Sequence, residues 1–200
     1  NESGKNEKKK VLYVNVTLKT YHQMETEYGM SDDEISMLNS LMSPENLSSL
    51  GITSGSTGTQ NGGNKKSSLT QNEINEILNK ITDEKAKTAV SFALSKVGYP
   101  YSQPLRNSGT HFDCSSLAYY AWNSAGISVM TDGSNTAASE AKWCSDNDCT
   151  VKEENLKPGD LIFYSYSNNG RYKNISHVEM YVGNGKSVSA SSSHNRVIHY

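Results

Sequence analysis

The 200-residue sequence lacks any long apolar run. A helix that crosses a bilayer needs about 20 consecutive apolar residues, so no segment is predicted to span a membrane. The sequence also lacks an excess of one charge, because 19 lysines and arginines stand against 21 aspartates and glutamates, mostly interspersed. Neither a basic face for nucleic acid nor an acidic tail is therefore predicted.

A methionine start and a leader are also missing. The first residue is Asn1, and no charged and then apolar segment of the signal-peptide type follows it. We therefore expect the sequence to be a fragment or a processed product. Its length allows one ordinary domain with a small additional segment, or two small domains.

Cysteine is scarce, with three residues at positions 114, 144 and 149. An odd count excludes complete pairing within the chain. Cys144 and Cys149 bracket a short polar stretch, and they either close a small disulfide loop or remain two thiols near a turn. The ligands around them are too few for a zinc site. Cys114 is the cysteine left for other chemistry.

Composition divides the chain into three parts. Residues 1–52 contain a β-branched run at 11–18, which predicts a strand, and a capping box at Ser31 that precedes short helices. We interpret this part as a small α/β segment. Residues 53–68 contain no large apolar side chain and predict a flexible linker. Residues 69–200 form the main folded domain.

Capping residues and apolar spacing predict helices first and strands afterwards in this domain. Thr70 and Glu73 form a capping box, and a second helix begins at Asp83 and ends at Gly98. The predicted helices cover about 70–81, 83–97, 117–125 and 135–143, and the predicted strands cover 161–166, 178–182, 187–190 and 196–200. This order predicts an α+β fold, with helices packed on a small antiparallel sheet.

Cys114 and His177 are the residues best placed for chemistry. Cys114 lies where a polar turn leads into an apolar helix, and a helix N-terminus stabilises a thiolate and lowers its pKa. His177 precedes a strand whose alternation predicts one buried face, which leaves the imidazole at the strand start as a base. Taken singly, each residue also fits an ordinary structural cysteine or surface histidine.

Several motifs in one order resemble the NlpC/P60 domain. They are Gly98-Tyr99-Pro100-Tyr101, Phe112-Asp113-Cys114-Ser115, Leu156-Lys157-Pro158-Gly159-Asp160-Leu161-Ile162-Phe163, Ile175-Ser176-His177-Val178 and Tyr181-Val182-Gly183-Asn184-Gly185-Lys186. Their order and spacing match across roughly residues 84–200, which is far more specific than one cysteine and one histidine. The resemblance implies a papain-like cysteine peptidase that cleaves peptidoglycan stem peptides beside γ-D-glutamate, without a metal or another cofactor.

The motif match also assigns roles to single residues. The resemblance implies that Cys114 is the nucleophile and that His177 is the base. It implies that Asp113 and Ser115 help to bind a substrate amine. Tyr101 would line the pocket and assist the backbone N–H of Cys114 in an oxyanion hole.

Three positions depart from the family pattern. Ser116 and Glu179 stand where the family often has glycine. Ser189 stands where the family usually has a histidine, asparagine or glutamine that orients the imidazole, and a serine hydroxyl is short and uncharged. The third catalytic residue is therefore Ser189 or His194. We expect activity to be retained.

The resemblance further implies a secreted or extracytoplasmic wall hydrolase. This chain would be the C-terminal part of a larger protein, with an upstream wall-hydrolase module or conjugation machinery as its partner. The alternative, favoured by Ser189, is a catalytically weakened wall-binding or scaffold module on the same fold. An amidase or acyltransferase that uses the same cysteine also stays open.

Overall fold

The computed structural model describes residues 10–16 and 69–200. The linker predicted at 53–68 and the helices predicted after Ser31 lie outside these residues. The helices are α1 Gln71–Leu78, α2 Glu84–Ser95, α3 Cys114–Ser124 and α4 Ala137–Asp146. The strands are β1 Lys10–Val14, β2 Thr150–Val151, β3 Leu161–Ser165, β4 His177–Gly183, β5 Lys186–Ser191 and β6 Arg196–His199. None of the helices described here is both long and apolar enough to cross a membrane.

Side-chain caps determine where the first two helices begin. The Thr70 hydroxyl accepts from the backbone N–H of Glu73 at 3.3 Å, and the Glu73 carboxylate accepts from the N–H of Thr70 at 2.8 Å. This confirms the capping box predicted before α1. The Asp83 carboxylate accepts from the N–H of Ala86 at 2.8 Å, so Asp83 is the N-cap and α2 begins at Glu84, one residue after the predicted start.

The strands form one antiparallel sheet in the order β2-β1-β3-β4-β5-β6. Strand β1 lies between β2 and β3, where Leu12 is opposite Phe163. On the other side of β3, Tyr164 is opposite His177 of β4. Helix α3 packs on β4 and β5, with α2 beside it. The predicted α+β class is confirmed, whereas β2 was not predicted because two residues carry no periodic signal.

The core lies between the helices and one face of the sheet. Its largest fully buried side chains include Trp122, Phe112, Phe163, Leu94, Leu161 and Met180. Gly159 lies at a close contact between the two layers, with φ at +96° and the position of an added Cβ only 3.0 Å from the Cβ of Ala86. Glycine is therefore required where the chain passes α2 to enter β3.

Cys144 and Cys149 are two buried thiols in the structure. Cys144 belongs to α4, and the backbone N–H of Cys149 donates to its carbonyl at 2.9 Å. The Cys149 thiol donates to the carbonyl of Asn147 at 3.4 Å. Of the two predicted states, the structure holds the pair as thiols beside a turn.

Candidate active site

Asp113 and Ser116 start α3 and place Cys114 as its first residue. The Asp113 carboxylate accepts from the backbone N–H of Ser116 at 2.7 Å, and the Ser116 hydroxyl accepts from the N–H of Asp113 at 3.0 Å. These bonds form a capping box. Ser116, which departs from the family pattern, therefore has a structural role of its own. The predicted position of Cys114 at a helix N-terminus is confirmed, and its side chain is half-buried.

Arg106 binds the residues on both sides of Cys114. Its Nη1 lies 3.1 Å from Asp113 Oδ2, and its Nη2 donates to Ser115 Oγ at 3.1 Å and to the carbonyl of Asn135 at 2.8 Å. The guanidinium thus contacts both side chains that the resemblance assigns to a substrate amine. Sequence reasoning missed Arg106, although it is the single lysine or arginine between residues 97 and 141.

The protonation of Cys114 differs from the prediction. Burial and, to a smaller extent, the neighbouring Asp113 carboxylate raise the pKa of the thiol to about 12. The backbone N–H groups of Val178 and Ser115 favour the thiolate, but they do not outweigh burial. The predicted lowering of this pKa is therefore wrong, and the resting sulfur is a protonated thiol at neutral pH.

Tyr101 lies close to the thiol. Burial raises the pKa of its phenol, and the proximity of Cys114 and then of Asp113 raises it further. The backbone N–H of Tyr101 donates to the carbonyl of Asn195 at 3.0 Å, and Tyr101 bridges to Phe112 just before the cap of α3. The phenol is therefore held beside Cys114 by backbone contacts on two sides.

His177 is the first residue of β4, and its ring contacts two oxygen-bearing side chains. The alternate residues Val178, Met180 and Val182 are buried, which confirms the predicted alternation and directs His177 to the other face of the sheet. Its Nε2 lies 3.2 Å from the Oγ of Ser189 and 3.4 Å from an oxygen of Glu179.

The two predicted candidates for the third residue lie in different surroundings. Ser189 is buried in β5 against the imidazole. His194 lies in the exposed turn between β5 and β6, where its Nδ1 is 2.9 Å from the Oγ of Ser191 and 3.2 Å from that of Ser193. Ser189 is the candidate that the structure brings to His177.

Glu179 is the second group at the imidazole, and two tyrosines hold it. The Tyr164 hydroxyl donates to one carboxylate oxygen at 3.0 Å, and the Tyr200 hydroxyl donates to the other. Burial alone would raise the pKa of Glu179, but hydrogen bonds from His177, Tyr200 and Tyr164 outweigh burial and lower it. Glu179 is thus a carboxylate at neutral pH. The alternation of β4 could have revealed that it shares a face with His177.

Glu140 of α4 is a further carboxyl beside the site. It is fully buried, and neither of its oxygens has a hydrogen-bond partner among the described residues. Burial, and then the proximity of Asp113, raise its pKa well above the usual range. Within residues 10–16 and 69–200, no three side chains of histidine, cysteine, aspartate or glutamate converge as metal ligands do.

The family can now be assigned. The profile of the NlpC/P60 family matches residues 98–199, which include Tyr101, Cys114, His177 and Ser189. The chain belongs to the NlpC/P60 family. The match covers every residue that the sequence prediction placed in the site.

Comparison with known proteins gives relatives of this NlpC/P60 chain. A probable endopeptidase p60 of Listeria monocytogenes is 37% identical over 84 residues, which are 42% of this chain and 15% of that protein. The bifunctional muramidase/DL-endopeptidase CwlT of Bacillus subtilis is 31% identical over 107 residues, 54% of this chain and 30% of CwlT. NlpC1 from Trichomonas vaginalis, a solved structure, has a TM-score of 0.47 at 24% identity, covering 60% of this chain and 40% of its own. The chain spans less than a third of either curated relative.

Proposed function

We propose that this chain is a cysteine peptidase that hydrolyses peptidoglycan stem peptides at the bond beside γ-D-glutamate. The observation that carries the proposal is the position of Cys114, at the start of α3 and against the backbone N–H of Val178, the residue after His177. Membership of the NlpC/P60 family supports a peptidase. The relative CwlT is a muramidase and DL-endopeptidase, which supports peptidoglycan as the substrate.

In the first half of the proposed reaction, the sulfur of Cys114 attacks the scissile carbonyl carbon while His177 takes the thiol proton. Because the resting thiol has a pKa of about 12, this proton moves as the substrate is attacked rather than before. The backbone N–H of Cys114 and the hydroxyl of Tyr101 stabilise the negative oxygen of the tetrahedral intermediate. The carbon–nitrogen bond then breaks, and the imidazolium returns the proton to the leaving amine.

The second half removes the acyl group from Cys114. His177 takes a proton from a water molecule, whose oxygen attacks the thioester carbon. The carbon–sulfur bond breaks, the sulfur regains a proton from His177, and the new carboxylic acid leaves. Ser189 acts as the third residue through its contact with Nε2 of His177.

Tyr101, Asp113 and Ser115 form the proposed substrate side of the thiol. Arg106 already pairs with the Asp113 carboxylate and hydrogen-bonds Ser115. A substrate amine that enters here would therefore share these two groups with the guanidinium. Peptides with free and with acetylated amines, compared by kcat/KM, test whether the amine contributes to binding.

The second candidate function is a wall-binding module with weakened catalysis. It is favoured by the raised pKa of Cys114, since a protonated thiol is a poor nucleophile until a base removes its proton. Binding to insoluble peptidoglycan without release of fragments would favour this candidate.

Digestion of purified peptidoglycan, followed by mass spectrometry of the released fragments, tests the main proposal. We expect fragments that end at a stem-peptide bond from the unmodified chain and from Cys149→Ala, which removes a buried thiol outside the proposed reaction. Cys114→Ala should release none. Fragments that persist in Cys114→Ala would contradict the proposal. An extracytoplasmic location, which this substrate implies, is tested separately by cell fractionation.

A further inference from the structure

The imidazole of His177 has two oxygen partners of different charge. Ser189 is neutral, and its buried hydroxyl also lies 3.4 Å from the backbone carbonyls of Val178 and Ala190. A hydroxyl has a single proton, so donation to either carbonyl leaves its lone pairs to accept from Nε2–H of His177. Such a contact orients the ring, but it offers little to the positive charge that forms when the ring takes a proton.

Glu179 supplies the negative charge that Ser189 lacks. It lies two residues after His177 on the same face of β4, and one of its oxygens is 3.4 Å from Nε2. The side chains of His177 and Glu179 are only 19% and 11% exposed, so solvent screens this pair weakly. A carboxylate can only accept, and it therefore favours the proton on Nε2 and leaves Nδ1 as the basic nitrogen.

The carboxylate is held in position from both sides. Tyr164, opposite His177 on β3, donates to one oxygen, and Tyr200 donates to the other. The backbone of Tyr200 is fixed in turn by two hydrogen bonds to Ser187, at 3.0 and 3.1 Å. A carboxylate with two donors of this kind has little freedom to turn away from the imidazole.

The other titratable groups near the ring do not supply this charge. Tyr164 of β3 and Tyr166, which directly follows that strand, face the ring with centroids 5.9 and 6.3 Å away, and their phenols are neutral at ordinary pH. Cys114 of α3 is a protonated thiol at rest. Among the groups that the described contacts place around His177, Glu179 is the one carboxylate.

We infer that Glu179 is a positioning residue for His177, and that its carboxylate keeps the proton on Nε2 and stabilises the protonated ring, which Ser189 cannot do. The inference rests on the proposed function, in which His177 is the base.

Titration of His177 by NMR tests the inference without requiring activity. The comparison is Cys114→Ala against Cys114→Ala with Glu179→Gln, since loss of the thiol removes the nucleophile in both. We expect the imidazole to lose its proton at lower pH when the carboxylate is removed, because the positive ring then has no negative partner. Glu76→Gln, which removes an exposed carboxylate of α1, is the matched control and should leave the titration unchanged. An unchanged His177 titration in Glu179→Gln would overturn the inference.

Kinetics of the single variants provide the second measurement. Glu179→Gln should lower kcat by roughly 10- to 100-fold, which is no more than the lower end of the roughly 100- to 10,000-fold that general base catalysis contributes. It should also move the limb of the pH profile that reports His177 to lower pH. Ser189→Ala should lower kcat by less and leave the His177 limb of the pH profile at the same pH. A larger loss and a moved limb in Ser189→Ala alone would assign the role to Ser189 and overturn the inference.

Two further outcomes remain informative. If Glu179→Gln fails to fold, Glu179→Asp withdraws the carboxylate from Nε2 by one methylene and should shift the titration in the same direction by less. If no variant, including the unmodified chain, releases peptidoglycan fragments, the proposed function fails. The titration in the Cys114→Ala background then still decides whether Glu179 controls His177.

Discussion

The helix side and the sheet side of the site each contain a carboxylate that is largely removed from solvent, and the two have different partners. Asp113, on the helix side, is paired with Arg106 and caps α3, while its charge still raises the pKa of the neighbouring Cys114. Glu179, on the sheet side, receives two tyrosine hydroxyls and keeps its charge beside the imidazole of His177. A paired cation therefore directs a carboxylate mainly to the framework, whereas neutral donors leave its full charge to act on the neighbouring group.

Two further buried carboxyls extend the comparison. Asp160, at the entrance to β3, and Glu140 of α4 both have a raised pKa, and burial is the main cause in each. With a pKa of about 7, Asp160 is close to half-protonated near neutral pH, and burial favours the neutral acid at Glu140. The four groups thus range from a carboxylate paired with a cation to a carboxyl whose burial opposes ionisation.

The largest expected effect is on stability, when the cation that pairs with Asp113 is removed. Arg106→Gln leaves the Asp113 carboxylate buried without its cation, and we expect a loss of roughly 3–5 kcal/mol in the free energy of unfolding. Arg106→Lys keeps a positive charge but loses the forked contact to Ser115 and Asn135, so its loss should be smaller. Urea unfolding of both variants measures the difference. Equal losses would mean that packing, rather than charge, is what Arg106 supplies.

The next effect is on the pH dependence of stability through Asp160. Burial raises its pKa from 3.8 to about 7, while the backbone N–H of Lys157 donates to it at 2.7 Å. The unfolded chain loses this proton first, so stability is full below the unfolded pKa and falls as pH rises towards the folded pKa, by up to about 1.4 kcal/mol per pH unit. Asp160→Asn keeps an acceptor for Lys157 and should abolish this part of the slope. A variant whose stability falls as steeply as that of the unmodified chain would contradict the assignment.

A smaller effect is expected on the pKa and the alkylation rate of the Cys114 thiol. Asp113→Asn remains a good cap for α3 but removes the charge that adds to the raised pKa of Cys114. It also leaves Arg106 as a positive neighbour, so we expect the pKa to fall by about one unit and alkylation by iodoacetamide to become roughly tenfold faster. Peptide mapping follows the rate, with the buried Cys144 and Cys149 as internal references.

The matched control for this variant is the same substitution at a remote exposed site. Asp146→Asn removes a charge from the exposed end of α4, where Asp146 pairs with Lys142, and should not change the alkylation rate of Cys114. A rate that stays unchanged in Asp113→Asn would mean that burial alone determines the protonation of the thiol.

The features that the sequence predicted correctly are local ones. Caps and apolar spacing act within a few residues, so the starts of α1 and α2 followed from Thr70 and Asp83 to within one residue. The place of Cys114 near a helix start also followed, although α3 begins three residues before the predicted 117. The alternation of β4 likewise identified its buried residues. These features depend on local order in the chain, which a sequence displays directly.

The features that the sequence did not predict depend on pairs that are distant along the chain. Arg106 reaches Asn135 across 29 positions, and Tyr200 reaches Glu179 across 21. The lowered pKa expected for Cys114 was wrong for the same reason, because burial of the thiol in the folded chain is a tertiary effect that outweighs the helix N-terminus. Glu179 was interpreted as a departure from glycine, although its contacts give it a partner of its own.

The smallest expected effect is the change in the free energy of unfolding caused by Glu140→Gln. Its size tells whether the Glu140 carboxyl is neutral or charged. If burial keeps the proton on Glu140 at neutral pH, Glu140→Gln replaces one neutral group of nearly equal volume by another, and the free energy of unfolding should change by less than about 1 kcal/mol. Glu140→Ala removes buried atoms and should cost roughly 2 kcal/mol or more through the cavity it leaves. Thermal unfolding compares the two. A loss in Glu140→Gln as large as that in Arg106→Gln would mean that Glu140 is ionised and shares the cation of Arg106 with Asp113, which would place it with the neutralised charges of the helix side.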